Sequence, residues 1–566
     1  MAHAVSAPEL PAAVRGAVLQ QDRVKTRLID RVAMASDASH YDFTPRAVIE
    51  ADSAEEVARV LKAATANSLP VTFRAGGTSL SGQSCGDGLL VDVRKRFRHI
   101  EVLDGGQRVR VGSGATIAQA NARLARYRRR LGPDPASEGA AAIGGMIANN
   151  SSGMACGTEL NTYKTLESMV LVLPSALIID TADPAGADAH LRAHAPDLHE
   201  GLLRLKKRVR ENPESVAAIE RMFSLKNTMG YGINAFLDAD SPVEILQKLV
   251  IGSEGTLGFV AEATLRTVPI PALTTTALAV FPTLDAATRC LPDLVGSSAA
   301  TLELMDATSI AVGQRLATPP AQIMGFDPVD QAALLIEYRA DHADELAAGR
   351  DSGLQILSDL NLQAPAEFSE DPAGRAQAWK LRKGLYASVA GARPSGTTAL
   401  LEDVVVPPAL LADTCGNLHH LFTEFGYSDC VIFGHAKDGN IHFMLTDRFE
   451  GDDALGRLHS FTEKMAGTVL DAGGNLKAEH GTGRAMAPFV RRQYGDELYD
   501  VMREVKRLCD PAGILNPGVI ISDDPRAHVE NIKLHSRVEE EVDRCVECGF
   551  CEPVLSLIHI SEPTRP

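Results

Sequence analysis

No apolar run in this chain approaches the ~18 residues that a membrane-spanning helix needs, so no span is expected. The N-terminus, MAHAVSAPELPAAVRGAV, lacks the apolar centre of a secretory signal. Positive charge is also in short supply. Lys and Arg number 56 against 73 Asp and Glu, a net charge of −17. Nucleic acid is therefore not an expected partner, because phosphate binding needs clustered cations. The one basic run, Arg126-Tyr-Arg-Arg-Arg130, is local and fits a solvated helix face or its end. Internal repeats are absent. Six of the nine cysteines (Cys85, Cys156, Cys290, Cys415, Cys430 and Cys509) are scattered without a pairing pattern, which suits a reducing compartment. The cytoplasm is the expected location. Peripheral attachment to the inner face of the membrane needs no span and stays open, as does self-association. With 45% hydrophobic and 23% charged residues the composition is that of a soluble globular protein. The length suggests about three to four domains.

The remaining three cysteines are not scattered. Cys545-Val-Glu-Cys548-Gly-Phe-Cys551 follows the spacing of a [4Fe–4S] ligand run, C-x2-C-x2-C-x3-C-P. The run then breaks, with Leu555 where the next cysteine belongs and Ser556 where proline belongs. The chain reads as a redox protein interrupted as an iron–sulfur half begins, with an incomplete ligand set. Residues 555–566 (LSLIHISEPTRP) read as a foreign tail.

A βα rhythm starts at Val48. Residues 47–50 predict a strand, Ser53 an N-cap, 54–66 an amphipathic helix and 69–73 the next strand. Apolar β-like runs recur at 89–93, 109–111, 168–173, 249–251 and 259–268. They predict an α/β domain with a mixed sheet over 45–269. After the break at Pro269-Ile-Pro271, strands at 276–280, 333–338, 429–434 and 441–445 alternate with long helical segments, an α+β pattern. Residues 510–521 predict a closing loop and strand.

Three segments carry cofactor chemistry. The first, Arg74-Ala75-Gly76-Gly77-Thr78-Ser79, follows a strand. Its glycines let backbone N–H groups converge on an anion, and its hydroxyls and guanidinium suit a pyrophosphate. It spells neither G-x-G-x-x-G nor a P-loop. The second runs from Ser137 through Gly144-Gly145 and Asn149 to Ser151 and Gly153. Its small residues and amides allow close packing on a flat ligand. The third is Gly252-Ser-Glu-Gly-Thr-Leu-Gly258-Phe-Val260.

A different chemistry lies in Phe433-Gly-His435-Ala-Lys-Asp438-Gly439-Asn440-Ile-His442. Asp-Gly between apolar strands signals a hairpin, which would let two imidazoles converge. Glu479-His480-Gly481 follows later. Two histidines and a carboxylate make a three-ligand site with open positions, as metal-dependent catalysis requires. Hydrogen-bonded core histidines are the alternative.

Together these segments resemble the vanillyl-alcohol oxidase / p-cresol methylhydroxylase (PCMH) flavoproteins, and more closely the D-lactate / D-2-hydroxyglutarate dehydrogenase branch in its form fused to an iron–sulfur half. The resemblance covers about residues 41–553. It implies an α+β fold. A helical lead-in (1–40) precedes a two-subdomain PCMH-type FAD-binding domain (41–272). An α+β substrate, or cap, domain of the FAD-linked oxidase C-terminal type follows (273–505), and 506–530 returns to the FAD domain. The start of a ferredoxin-like [4Fe–4S] domain (537–554) comes last. It further implies that Arg74, Ala75, Gly76, Gly77, Thr78 and Ser79 hold the FAD pyrophosphate, and that Ser137, Gly144, Gly145, Asn149, Ser151 and Gly153 line the flavin. Gly258 and Val260 would lie near the adenine, and Asn516 would approach the isoalloxazine. The first glycine loop has no histidine, so FAD should be non-covalent.

In the second domain the resemblance makes His435, His442 and Glu479 ligands of a divalent metal (Zn, Mn, Fe or Co) and His480 the base. Arg382 of Trp379-Lys-Leu-Arg382 would grip the substrate carboxylate, helped by Tyr386, and Asn440 would be a further catalytic residue. Residues 400–403, LLED, lack the lysine some relatives carry nearby, which puts a second cationic grip in doubt. The implied reaction oxidises a D-2-hydroxy acid to the 2-oxo acid with hydride passing to flavin N5. Electrons leave through iron–sulfur clusters held in part by Cys545, Cys548 and Cys551, to a quinone, cytochrome or electron-transfer protein. A glycolate oxidase-type subunit, a non-redox transferase on the same fold and a non-catalytic flavin-binding subunit are the competing readings.

Overall fold

A computed structural model describes residues 9–535, 537–549 and 551. The expected foreign tail at 555–566 lies outside the described residues, as do 1–8, 536, 550 and 552–554. Among the described residues no helix is long and apolar enough to cross a membrane.

The single mixed sheet expected over 45–269 is two sheets. In the first, Ala47–Glu50, Leu89–Asp92 and Val71–Arg74 lie parallel, with Val24–Lys25 of the lead-in added antiparallel at the edge. Parallel strands need a crossover, and the helix Ala54–Ala66 supplies the one from Ala47–Glu50 to Val71–Arg74, on the far side of Leu89–Asp92. Its N-cap is Ser53, whose hydroxyl accepts the Glu56 N–H at 3.2 Å. The second sheet is antiparallel, in the order Ile100–Leu103, Arg108–Gly112, Phe259–Pro269, Leu166–Val172, Ile178–Asp180. Arg129–Leu131 also pairs with Phe259–Pro269.

Two local expectations fail for identifiable reasons. The apolar run at 249–251 ends a helix, Pro242–Val250, and forms no strand. A capping box between Ser241 and Glu244, with Pro242 at the first helical position, starts the helix. Val243, Leu246 and Val250 then recur at helical spacing on its buried face. The basic run falls at a helix end, as expected: Ala125–Tyr127 is a 3-10 turn directly after the helix Ile117–Leu124, Arg128 is left-handed at φ 55°, and Arg129–Leu131 continues as a strand. The closing strand at 510–521 reduces to one parallel bridge, Leu515 beside Val71. Gly513, Asn516 and Ile520 all have positive φ (64°, 43° and 64°), which breaks extended chain on either side of it.

The third sheet belongs to the second domain and is antiparallel. Its order is Leu273–Phe281, Ala332–Ala340, Thr301–Met305, Val431–His435, Asn440–Asp447, Thr398–Val405. One face is covered by the helix Pro372–Gly391. Its Ala378, Leu381, Leu385 and Val389 recur at helical spacing and pack on Leu278, Met305, Leu335 and Phe433. That packing aims Arg382, one residue past Leu381, at the end of the sheet where the hairpin of Val431–His435 and Asn440–Asp447 turns.

Candidate active site

The turns that follow Val71–Arg74, the helix Ile143–Ala148 with its flanks, residues 250–260 and the end of the third sheet line one solvent-open cleft with a cavity volume of about 230 Å³. Its lining includes Arg74, Ala75, Gly76, Gly77, Thr78, Ser79, Ser137, Gly144, Gly145, Asn149, Ser151, Gly153, Gly258 and Val260, together with Arg382, Tyr386, His435, His442, Glu479 and His480. Two expected residues lie off the cleft. Asn516 spends its amide on the Gln83 and Glu254 carbonyls, at 2.7 and 3.0 Å. Asn440 donates to Asp403 Oδ1 at 2.7 Å and to the Val404 carbonyl at 3.0 Å.

The glycines fit a flat, polar ligand in two ways. Gly76 lets strand and loop touch, since a Cβ there would stand 2.3 Å from the Ala140 carbonyl oxygen. Gly145 faces open space, where a Cβ would meet no protein atom within 4 Å and would occupy the cleft instead. The buried Ser113 hydroxyl and Arg382 Nη2, both on residues lining the cleft, have no protein partner. Buried polar groups are rarely left so without a ligand or water to receive them.

The hairpin forms as its Asp-Gly signal predicts, with His435 opposite Asn440 and Phe433 opposite His442. Its imidazoles meet the Glu479-His480 segment. The Nε2 atoms of His435, His442 and His480 lie 2.9, 3.5 and 3.9 Å from one oxygen, Glu479 Oε1. His442 and His480 stack at 4.7 Å. Each hairpin histidine is backed by a carboxylate: His435 Nδ1 lies 2.8 Å from Glu303 Oε1, and His442 Nδ1 lies 3.1 Å from Asp403 Oδ1. Among the described residues two groups have ligand atoms close enough to share an ion, His435–His442–Glu479 and Asp403–His442–His480.

Carboxylates no motif announced organise this centre. Asp403 is fully buried, and its Oδ2 accepts the N–H groups of Ala478, Glu479 and His480 at 3.0, 2.6 and 3.0 Å. Burial works against its charge, but His480 and His442 overcome that and keep Asp403 ionised well below the ordinary carboxyl range. Glu479 is likewise held low against burial, by His435 and Lys226. Burial opposes protonation of His435, yet Glu303 and Glu479 raise it to about 9. Burial pushes His480 down to about 4, so it is neutral near pH 7. Buried Lys226 pairs with Asp438 at 2.9 Å and Glu479 at 3.4 Å and donates to the Gly153 carbonyl at 2.8 Å. Glu254, also on the cleft, is raised to about 8 by burial, although the Thr482 and Gly483 amides bond it.

Sequence reading passed over Glu303, Lys226 and Glu254, and met Asp403 only as a missing lysine. Glu303 and Asp403 did leave a signal: each is a charge inside an apolar strand, TLELM and TALLEDVV, whose residues are buried on both faces. Lys226 left none.

Arg382 is buried, with Nε 2.6 Å from Glu303 Oε2 and its guanidinium 5.1 Å above the Phe433 ring. Glu303 therefore braces both the arginine and His435. The Tyr386 hydroxyl donates to the Ala38 carbonyl at 3.0 Å. At 400–403, Leu401 lines the cleft, while Glu402 turns away to Lys477 at 2.6 Å.

Sequence comparison matches residues 45–182 to the FAD binding domain and residues 270–520 to the FAD linked oxidases, C-terminal domain. The D-2-hydroxyglutarate dehydrogenase of Pantoea ananatis is 27% identical over 523 residues, covering 88% of this chain and 50% of that protein. This chain thus spans about half the length of that relative. The glycolate oxidase subunit GlcD of Bacillus subtilis is 26% identical over 88% of this chain and 94% of its own. The D-lactate dehydrogenase of Archaeoglobus fulgidus is 27% identical over 86% and 96%. Among solved structures, p-cresol methylhydroxylase with substrate bound superposes at a TM-score of 0.64 and 13% identity, over 90% of this chain and 96% of that one. The fold is that of the PCMH-type flavoproteins.

Proposed function

The chain belongs to the FAD-linked oxidoreductases, and on that footing we propose that it dehydrogenates a D-2-hydroxy acid to the 2-oxo acid. The observation that carries this reading is the convergence of three imidazoles on Glu479, beside a buried arginine, on the wall of a glycine-lined cleft. FAD, when bound, supplies the hydride acceptor. The first glycine turn would hold its pyrophosphate, and the 137–153 segment its ring system.

Arg382 offers Nη2 to the substrate carboxylate, with its charge held beside Glu303 by an ion pair at 2.6 Å. His435, His442 and Glu479 are suited to a divalent ion, Zn, Mn, Fe or Co. His435 Nδ1 is hydrogen-bonded to Glu303, which orients its Nε2 as a ligand, and His442 Nδ1 lies 3.1 Å from Asp403. Such an ion supplies a Lewis acid that eases loss of the hydroxyl proton. His480, neutral and stacked on His442, takes that proton. Lys226 and Ser152 hold the other Glu479 oxygen, at 3.4 and 3.0 Å, and fix its direction. Electrons then leave toward the cysteine run and a quinone, cytochrome or electron-transfer protein.

The relative named glycolate oxidase subunit, matched over nearly its whole length, supports a second reading with glycolate as substrate. Anaerobic bleaching of the FAD-loaded protein by a panel of D- and L-2-hydroxy acids and glycolate separates the two. Rapid bleaching by one D-acid is expected. Bleaching by glycolate alone favours the second reading, and none by any acid, with FAD and metal both bound, refutes both.

A further inference from the structure

Residues 478–482, which carry Glu479 and His480, form neither helix nor strand. Such a stretch leaves its main chain for other segments to satisfy, and whatever satisfies it dictates its shape. Here side chains from distant segments do so. The N–H groups of Glu479 and His480 go to Asp403 of the third sheet, and that of Gly481 goes to Thr228 Oγ1 at 3.0 Å. Those of Thr482 and Gly483 go to the two Glu254 oxygens at 2.6 and 2.8 Å. The carbonyls are held as well. Asn149 Nδ2 donates to the Glu479 carbonyl at 2.5 Å, and Gln83 Nε2 donates to the His480 carbonyl at 2.8 Å.

Three of these holders belong to, or directly follow, the three glycine segments. Gln83 stands four residues past Ser79 and accepts that hydroxyl through Oε1. Asn149 lies in the second segment and accepts from Gln83 Nε2 at 3.2 Å, and Glu254 lies in the third. All three line the cleft. They meet over Gly481, where a Cβ would stand 2.6 Å from both Asn149 Oδ1 and Gln83 Nε2 and 3.0 Å from Glu254 Oε1. Gly481 also has φ 81°, so glycine is required there by backbone and by space alike. The side chains on the wall of the cleft are thus the ones that set where Glu479 and His480 stand.

We propose that Gln83, Asn149 and Glu254 form a clasp that couples two binding sites, so that FAD in the cleft tightens the divalent-metal centre and the metal tightens FAD by the same factor. The proposal rests on the FAD and metal assignments above. Its two states are the clasp closed, as in this structure, and the clasp open, with the main chain of 479–483 released. FAD favours the closed state because it orders the segments that carry the clasp. The metal favours it because only then does Glu479 face His435 and His442. Whichever ligand binds first bears the cost of ordering the seam, and the second binds without it. The linkage is reciprocal by thermodynamic necessity. Gln83, Asn149 and Glu254 are positioning residues in this device, and His480 is placed by the same closure that places Glu479.

The test uses the full chain, freed of FAD and metal, and needs no substrate. Zn²⁺ or Mn²⁺ is titrated calorimetrically with and without saturating FAD, and FAD is titrated by flavin fluorescence with and without the ion. The His442→Ala variant identifies the heat that belongs to this site. Each ligand should tighten the other about tenfold. Gly481→Ala drives a Cβ into all three clasp side chains and should abolish the coupling. Should that variant fail to fold, Gln83→Leu keeps the volume and removes one arm of the clasp. It should cut the factor to about threefold or less while both ligands still bind. Metal affinity that is equal with and without FAD, full coupling in Gln83→Leu, or binding of neither ion overturns the clasp. If coupling is absent while a D-2-hydroxy acid still bleaches the flavin, the clasp falls and the dehydrogenase reading stands. If coupling is present and no acid bleaches the flavin, the clasp stands and that reading falls.

Discussion

Replacing Glu303 by Gln tests the whole centre through a residue that touches neither cofactor nor substrate. Glu303 is fully buried and shares one negative charge between Arg382 Nε (2.6 Å) and His435 Nδ1 (2.8 Å). Glutamine keeps the volume and removes the charge. Arg382 then loses its buried counter-charge and His435 keeps only that of Glu479, and breaking a buried ion pair costs about 3–5 kcal/mol. For domains of about 150–250 residues each kcal/mol moves the melting midpoint by roughly 2–4 °C, so a fall of roughly 6 °C or more is expected. The amide also backs His435 less well than a carboxylate, so divalent-metal affinity should drop about 10–100-fold, as it does for comparable outer partners. Scanning calorimetry of the metal-free protein and calorimetric titration with Zn²⁺ or Mn²⁺ read the two effects separately. A midpoint within about 1 °C of the parent, together with unchanged metal affinity, would refute the claim that Glu303 braces both groups.

Other outcomes follow from the same geometry. His480→Ala should bind FAD normally, yet its flavin should bleach about 10²–10⁴-fold more slowly with substrate in anaerobic stopped flow; equal rates remove His480 from proton transfer. Glu254 has its folded value raised to about 8, so the native state holds its proton through a window where the unfolded chain, at about 4.5, has lost it. Stability should therefore fall as pH rises from about 4.5 through 8, by a few kcal/mol, and Glu254→Gln should flatten that slope in melts across pH 5–9. The two glycines should behave differently. Gly76→Ala drives a Cβ into the Ala140 carbonyl and should destabilise the apoprotein by about 1–3 kcal/mol. Gly145→Ala points into the cleft and should leave the apoprotein melt unchanged while weakening FAD binding; the reverse pattern contradicts the cleft as the flavin site.

Much of the architecture is legible in local chemistry. Ser53 and the amphipathic spacing after it specify Ala54–Ala66, and Asp-Gly between apolar runs specifies the His435–His442 hairpin, because caps and tight turns depend on a few adjacent residues. The glycine segments and the E-H-G segment are equally local, and all line one cleft. Where neighbouring signals compete, a short apolar run is weak evidence. Residues 249–251 look like a strand until the capping box at Ser241 is given its weight.

What no local pattern contains is which distant groups meet. Glu303 reaches His435 across 132 residues, Lys226 reaches Glu479 across 253, and Asp403 receives the Glu479 amide across 76. A buried charge is tolerable only when a partner meets it, and that partner is chosen by strand order and sheet register, not by spacing along the chain. Likewise Asn516 carries a fitting side chain in a fitting motif, but the fold turns its amide to Gln83 and Glu254. Residue types and short spacings thus define the kinds of chemistry available, because they act over one turn or one hairpin. The third sheet decides which of them converge, because only packing brings the Thr301–Met305, Val431–His435 and Thr398–Val405 strands and the Glu479 segment to one point.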